Sequence, residues 1–227
     1  MMEKALVLLS GGLDSTTVLH HVRHELNVPV VYACSFHYGQ KHAVELEMAR
    51  WQAQAAGVTE HLEIDLTSFG LAIRAGSALT NPGVAVPSLD ALSEAQRRHP
   101  PTYVPHRNMV MLALAAACAE VRGAAHVFYG AHKQDAYGYW DCSMDFIGRI
   151  NDLLGLNRGQ AVTVHAPFAN RSKREILKIG LALGVDYRHT WTCYCGEKQP
   201  CGTCPSCCDR LAAFDAVGVL DPLTQPV

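Results

Sequence analysis

Two short stretches of the chain carry residue types that do chemistry at telling spacings. The first is Ser10-Gly11-Gly12-Leu13-Asp14-Ser15-Thr16-Thr17, directly after the apolar run 5–9. Its glycines let the backbone approach an anion closely and take up angles closed to other residues. Free N–H groups at the start of the following helix, with the helix dipole, favour a phosphate there. Ser10, Ser15 and Thr16 add hydroxyl donors. Asp14 is an awkward charge beside an anion unless it binds Mg²⁺ or orients a loop N–H. No Walker A loop (G-x-x-x-x-G-K-[ST]) and no dinucleotide G-x-G-x-x-G is present. Two glycines alone would read as an ordinary strand-to-helix turn. The whole hexapeptide S-G-G-L-D-S after an apolar strand turns the reading towards phosphate binding.

The second stretch is cysteine-rich. The 227-residue chain has nine cysteines, and six fall within residues 193–208. Cys201, Cys204 and Cys207 form a C-x2-C-x2-C run that folds its thiolates around one ion, and Cys193 can close a tetrahedral shell. Structural Zn²⁺ is the favoured reading. An iron–sulfur cluster remains the alternative, because a further Cys beside such a run is also ferredoxin-like. Cys195 and Cys208 then stand outside the ligand set.

These residues need a frame. Hydrophobic residues make up 49% and charged residues 18%, a globular composition. The formal net charge of -2 disfavours direct binding to long nucleic acid. The longest apolar run, 109–119, is too short to span a bilayer. The start of the chain lacks signal-peptide features. An odd number of cysteines in such a chain points to a reducing compartment and to metal before disulfides. The expected setting is the cytoplasm, with no membrane partner.

Apolar β-rich runs at 5–9, 28–36, 61–66, 125–130 and 161–165 alternate with helical patterns at 15–26, 44–55, 106–122, 143–156 and 172–184. In the second helix Val44, Met48, Trp51 and Ala55 recur on one face. In the last, Ser172 and Glu175 form a capping box, Ile176, Ile179 and Leu183 share a face, and Gly184 can close the end. Residues 68–101 read as a long connection with a short helix, of the kind that serves as a lid. The alternation predicts an α/β fold, a parallel sheet covered on both faces, with ligands at the carboxyl ends of the strands. Arg107 and Lys173 each open a helix after an expected strand end, where a cation can meet phosphates.

The hexapeptide resembles the PP-loop of the ATP pyrophosphatase superfamily. With further motifs the resemblance narrows to the QueC family of 7-cyano-7-deazaguanine (preQ0) synthases and covers nearly the whole chain. The motifs are Phe36-His37-Tyr38-Gly39-Gln40-Lys41-His42, Thr102-Tyr103-Val104-Pro105-His106-Arg107-Asn108, and Asp135 with Gly138-Tyr139-Trp140-Asp141-Cys142. To these are added Lys173-Arg174-Glu175 and Thr192-Cys193-Tyr194 with Cys201, Cys204 and Cys207. Where many members carry Pro, Ser and Asn, this chain has Trp140, Tyr137 and Cys195. Those departures bear on the substrate pocket, not the reaction type.

The resemblance implies a Rossmann-like, HUP-type nucleotide-binding domain over 1–188 and a zinc-binding segment with a helix over 189–227. It implies an ATP-dependent ligase joining 7-carboxy-7-deazaguanine and ammonia into preQ0, through an adenylated carboxylate and an adenylated amide. ATP would lie on Leu8, Leu9, Ser10, Gly11, Gly12, Leu13, Asp14, Ser15, Thr16, Thr17, Val18 and Gly130. Asp14, Arg107 and Lys173 would be catalytic. Phe36, Tyr38, Gln40, Asp135, Tyr139 and Asp141 would hold the substrate, and the product would enter queuosine or archaeosine biosynthesis. Zn²⁺ and Mg²⁺ are the implied metals and a homodimer the implied assembly. A tRNA-modifying thiolase, a lysidine-type enzyme or another adenylating enzyme of the same superfamily is one rival. A glutamine-fed synthetase lacks room for its glutaminase, and a zinc-ribbon interaction module leaves Asp14, Arg107 and Lys173 unexplained.

Overall fold

A computed structural model describes residues 2–133 and 138–224. Five parallel strands, β1 (Lys4–Leu8), β2 (Val30–His37), β3 (Glu60–Asp65), β4 (His126–Phe128) and β5 (Thr163–His165), form one sheet in the order β3-β2-β1-β4-β5. The helices are α1 (Leu13–His20), α2 (Glu45–Ala55), α3 (Thr67–Ala72), α4 (Glu94–Arg98), α5 (Arg107–Val121), α6 (Met144–Leu154), α7 (Lys173–Ala182) and α8 (Pro205–Val217). β1 is central and buried on both sides. Ala5 and Val7 join one core with residues of α1, α2, α7 and α8, while Leu6 joins the other with residues of α5 and α6. The period-two alternation of a strand accounts for that division.

From β1 the chain builds outward through β2 and β3, then returns to place β4 on the other side of β1. The strand order reverses between β1 and β4, so a crevice opens at their carboxyl ends. The glycine-rich loop leaves β1 there, and Gly130 follows β4.

Three elements differ from expectation. The first helix stops being α-helical at His20 and continues as a π-helical turn over His21–Glu25, before Asn27 turns at φ 53°. Asn tolerates that left-handed conformation. On α2 the core face is Leu46, Ala49, Gln52 and Ala53. Val44 and Met48 pack instead against a third cluster built on Trp191, Cys193, Cys204 and Cys207, Trp51 stacks on His189, and Ala55 is exposed. One helix serves two cores, so its apolar positions do not form a single stripe. The long connection is also not a loose lid. It carries α3 and α4, buries Leu79, and is tied to the cysteine segment where Leu89 N–H donates to Thr203 O at 2.8 Å.

The C-terminal segment packs closely on this body. Ala213 and Phe214 of α8 belong to the same core as Ile176 and Leu177 of α7. Arg210, buried on α8, donates to both oxygens of buried Asp221 at 2.7 and 2.9 Å, to Thr190 Oγ1 at 2.8 Å and to Tyr187 O at 3.2 Å. Removing one member of a buried ion pair leaves the other charge uncompensated. Arg210→Met is expected to lower unfolding free energy by about 3–5 kcal/mol, read from urea midpoints. A loss below about 1 kcal/mol, the range of surface pairs, would contradict this burial.

Candidate active site

The glycine-rich loop is held by its own hydroxyls. Ser10 N–H donates to Ser15 Oγ at 3.1 Å, Gly12 N–H donates to Ser10 Oγ at 3.2 Å, and the two hydroxyls lie 2.9 Å apart. Gly11 sits at φ +83°, and a Cβ there would stand 2.1 Å from the Glu45 carbonyl oxygen. Only glycine fits. Trp191 N–H donates to Gly11 O at 2.8 Å. Gly130 lets the end of β4 close on α1, since a Cβ there would lie 2.9 Å from Ser15 N. Ser143 and Ser172 cap α6 and α7 with their side chains, but Gly12 gives α1 no such cap. The first-turn N–H groups of α1 are thus left to meet an anion.

Charges converge on the same crevice. Lys173 opens α7 and is buried, its Nζ 3.3 Å from Asp14 Oδ2. His132 Nε2 lies 3.8 Å from that oxygen, while Asp14 Oδ1 is buried with no hydrogen bond. Arg107 opens α5, donates to Tyr38 OH at 3.0 Å, and lies 5.7 Å from the Tyr38 ring centroid. These groups line one cleft of about 1180 Å³, its open mouth included.

Of the residues expected at the site, Leu8, Leu9, Ser10, Gly12, Leu13, Asp14, Ser15, Phe36, Tyr38, Arg107, Gly130, Tyr139 and Lys173 line the cleft. Gly11 lies behind it, under Glu45. Thr16 is fully buried with no hydrogen bond to its hydroxyl, Thr17 faces away to Tyr187 OH at 2.7 Å, and Val18 belongs to the core. Gln40 is buried and orders its own loop, accepting from Tyr38 N–H and donating to Phe36 O and Glu45 Oε1. Asp141 is buried and accepts from Asn108 N–H, so it closes the start of α5 and sets Arg107. Asp135 lies outside the described residues. The cleft also contains His42, Glu45, Thr102, Asn108, Trp191, Thr192 and Tyr194. His42, Thr102, Asn108, Thr192 and Tyr194 stand in motifs of the sequence, though none was expected at the site. Glu45 gave no signal, because an acidic residue at a helix start reads as a solvated partner of the helix dipole.

The Sγ atoms of Cys193, Cys201, Cys204 and Cys207 all lie within 4.8 Å of one another. Cys193 Sγ accepts N–H bonds from Cys195 and Cys201 at 3.4 Å each, and Cys201 Sγ one from Cys204 at 3.3 Å. Bonds from Cys204 and Cys207, with those N–H groups, hold the Cys193 thiol well below its ordinary range. Four convergent thiols with backbone N–H groups on sulfur can hold a metal ion. Cys195 and Cys208 lie outside the group. Among the described residues no helix is long and apolar enough to cross a membrane.

The family model described as "Queuosine biosynthesis protein QueC" matches residues 4–218. A 7-cyano-7-deazaguanine synthase from Kineococcus radiotolerans is 46% identical, covering 98% of this chain and 98% of its own. The synthase from Psychromonas ingrahamii is 41% identical with 98% of both chains covered. Among solved structures, the U34-tRNA thiolase NcsA from Methanococcus maripaludis aligns with a TM-score of 0.52 at 14% identity, over 96% of this chain and 66% of that one. The NMN synthetase from Francisella tularensis aligns at 0.50 and 15%, over 96% and 74%. The last two share the fold.

Burial sets the electrostatics of the cleft. It pushes the Glu45 carboxyl up to about 8, against the hydrogen bond from Gln40 and the charge of Arg107. It pushes His42 down to about 3, so that imidazole is neutral. The folded chain therefore keeps the Glu45 proton from about 4.5 to about 8, while the unfolded chain has released it. Its contribution is full below that window and is lost as pH rises through it. Stability of Glu45→Gln relative to the parent is expected to increase from pH 4.5 to 8 and then level off. Urea titrations across that range check it, and a constant difference would show that Glu45 is ionised throughout.

Proposed function

This chain belongs to the QueC family, and from that premise we propose that it is a 7-cyano-7-deazaguanine synthase, joining 7-carboxy-7-deazaguanine and ammonia at the expense of ATP. The observation that carries the reading is the meeting, in one cleft, of the uncapped start of α1, Lys173, Arg107 and an aromatic wall of Phe36, Tyr38 and Tyr139. A carboxylate oxygen is a poor leaving group and AMP a good one. The substrate carboxylate attacks the α-phosphorus of ATP, and pyrophosphate leaves into the loop of Ser10, Gly12 and Ser15. Ammonia displaces AMP to give an amide. A second ATP adenylates the amide oxygen, and loss of AMP leaves the nitrile.

In this scheme the first-turn N–H groups of α1 and the hydroxyls of Ser10 and Ser15 hold the leaving pyrophosphate. Lys173 and Arg107 stabilise charge that builds on the phosphates, from positions fixed before the substrates arrive. Asp141 keeps Arg107 in place by closing the start of α5. The aromatic wall suits the flat face of a deazaguanine. Asp14, with Oδ1 carrying no hydrogen bond, is the carboxylate that fits a Mg²⁺, which when bound neutralises phosphate charge.

The sulfur cluster supports zinc. A Zn–S distance of about 2.3 Å sets tetrahedral sulfur separations of roughly 3.8 Å, within the observed 4.8 Å limit. A four-iron cluster interposes irons and sulfides and needs a wider span. Zinc here would fix the 189–227 segment against the 1–188 body. The nine free thiols suit the reducing cytoplasm. The assembly is a homodimer, which would cover the exposed Met144 and Leu153 of α6 and Leu156 just beyond it.

Incubation with ATP, 7-carboxy-7-deazaguanine and ammonium is expected to yield the nitrile and AMP; neither appearing with metallated protein would refute the reading. Asp14→Ala is expected to slow turnover by about 10²-fold or more with an unchanged thermal transition. Full activity in that variant would remove Asp14 from the mechanism. Metal analysis should find about one zinc per chain. Stoichiometric iron in a coloured protein would favour a thiolase instead.

A further inference from the structure

Ammonia carries three protons on nitrogen and a nitrile carries none. One must leave in amide formation and two in nitrile formation, so an acceptor is needed beside the nitrogen in both halves. Among the described residues, the carboxylates lining the cleft are Asp14 and Glu45. Asp14 is engaged with Lys173 on the phosphate side.

Glu45 is placed differently. It opens α2, and its own carbonyl presses on Gly11, so its position is fixed relative to the phosphate loop. Gln40, itself anchored on Tyr38 N–H and Phe36 O, donates to Oε1 at 3.2 Å, and His42 Nε2 lies 3.5 Å from the same oxygen. Oε2 accepts no hydrogen bond among the described residues. The side chain is only 12% exposed. The groups facing it are His42 from its own loop, Tyr38 at the end of β2, and Arg107 on α5. A carboxyl oriented through one oxygen, with the other left without a partner at a cleft wall, has no evident structural task.

Resting on the synthase reading, we propose that Glu45 is the proton acceptor for the substrate nitrogen in both halves of the reaction. In the first half the ammonia lone pair attacks the acyl carbon of the carboxyl adenylate. The adduct passes one N–H proton to Glu45, the C–O bond to AMP breaks, and its electron pair leaves on the AMP phosphate. In the second half the adenylated amide gives up its N–H protons by the same route. The nitrogen pair becomes the new C–N π bond as the second C–O bond breaks towards AMP. Burial, which brings the carboxyl to about 8, lets it take and release protons near neutrality.

The test separates adenylation from nitrogen chemistry. Zinc-loaded protein is mixed with ATP and 7-carboxy-7-deazaguanine without ammonium, and the pyrophosphate burst is measured. Ammonium is then added and amide and nitrile are followed. Glu45→Gln keeps the shape of the protonated side chain. It is expected to retain the burst within a few-fold and to slow amide formation by about 10²–10⁴-fold. Nitrile formation from supplied amide is expected to slow as well. Amide formed at the parent rate, or a lost burst, would overturn the assignment. If Glu45→Gln does not fold, Glu45→Asp decides: a full burst with slowed amide formation upholds it, and parent rates in both overturn it. A parent protein giving neither burst nor nitrile would instead remove the synthase reading itself, and the assignment with it.

Discussion

The backbone N–H of Trp191 reaches the carbonyl of Gly11 at 2.8 Å, joining the cysteine segment to the glycine-rich loop. The Glu45 carbonyl fills the space where a Gly11 side chain would be. The loop is thus clamped between the start of α2 and the C-terminal segment. Trp191 is in turn fixed by its indole N–H on Cys193 O at 2.9 Å and by packing with Cys193, Cys204 and Cys207. Arg210 holds the flanking Thr190 and Thr192 from α8. Trp191, Thr192 and Tyr194 line the cleft. The thiol cluster therefore acts on the chemistry through position: it holds one wall of the cleft and one side of the loop.

The cleft holds two cations where unpaired charge is costly. Each cation has a provisional partner: Lys173 has Asp14, and Arg107 has the Tyr38 hydroxyl and ring. Those contacts lower the cost of holding the two charges out of water. Asp14 is left with one buried oxygen lacking a hydrogen bond, a condition worth about 1–3 kcal/mol. A cation or a polar group entering the cleft would relieve that cost. Strain of this kind belongs where a ligand restores the balance.

The fold was legible because β1 is buried on both sides and reads as a continuous apolar run, and because Ser172 and Glu175 mark α7 as plainly in sequence as in space. The loop and the four thiols were legible because close spacing in sequence became close spacing in the fold. What local pattern could not supply is direction. Thr17 follows the loop but turns to Tyr187, and Gln40 stands in a motif yet bonds its own loop. Glu45 looks like a surface acid because its burial comes from Gln40, His42 and Arg107, brought together from two different elements. The face of α2 misled for a related reason, since it packs on the sheet and on the cysteine cluster at once.

Of the positions at which this chain departs from the family pattern, Tyr137 lies outside the described residues, while Trp140 and Cys195, expected to bear on the substrate pocket, do not line the cleft. Trp140 is 47% exposed and donates its indole N–H to Tyr103 OH at 2.9 Å, edge-on to His106 and Phe146. It does not line the cleft, whereas its neighbour Tyr139 does, held there through Thr102 Oγ1 at 2.7 Å. Cys195 offers a backbone N–H to the Cys193 sulfur, and any residue other than proline can make that bond. Its thiol lies outside the four-sulfur group. At the rim an exposed side chain takes part, and at the turn beside the four thiols a backbone group does, whereas Lys173, Arg107 and the four cysteines act through their own side-chain atoms.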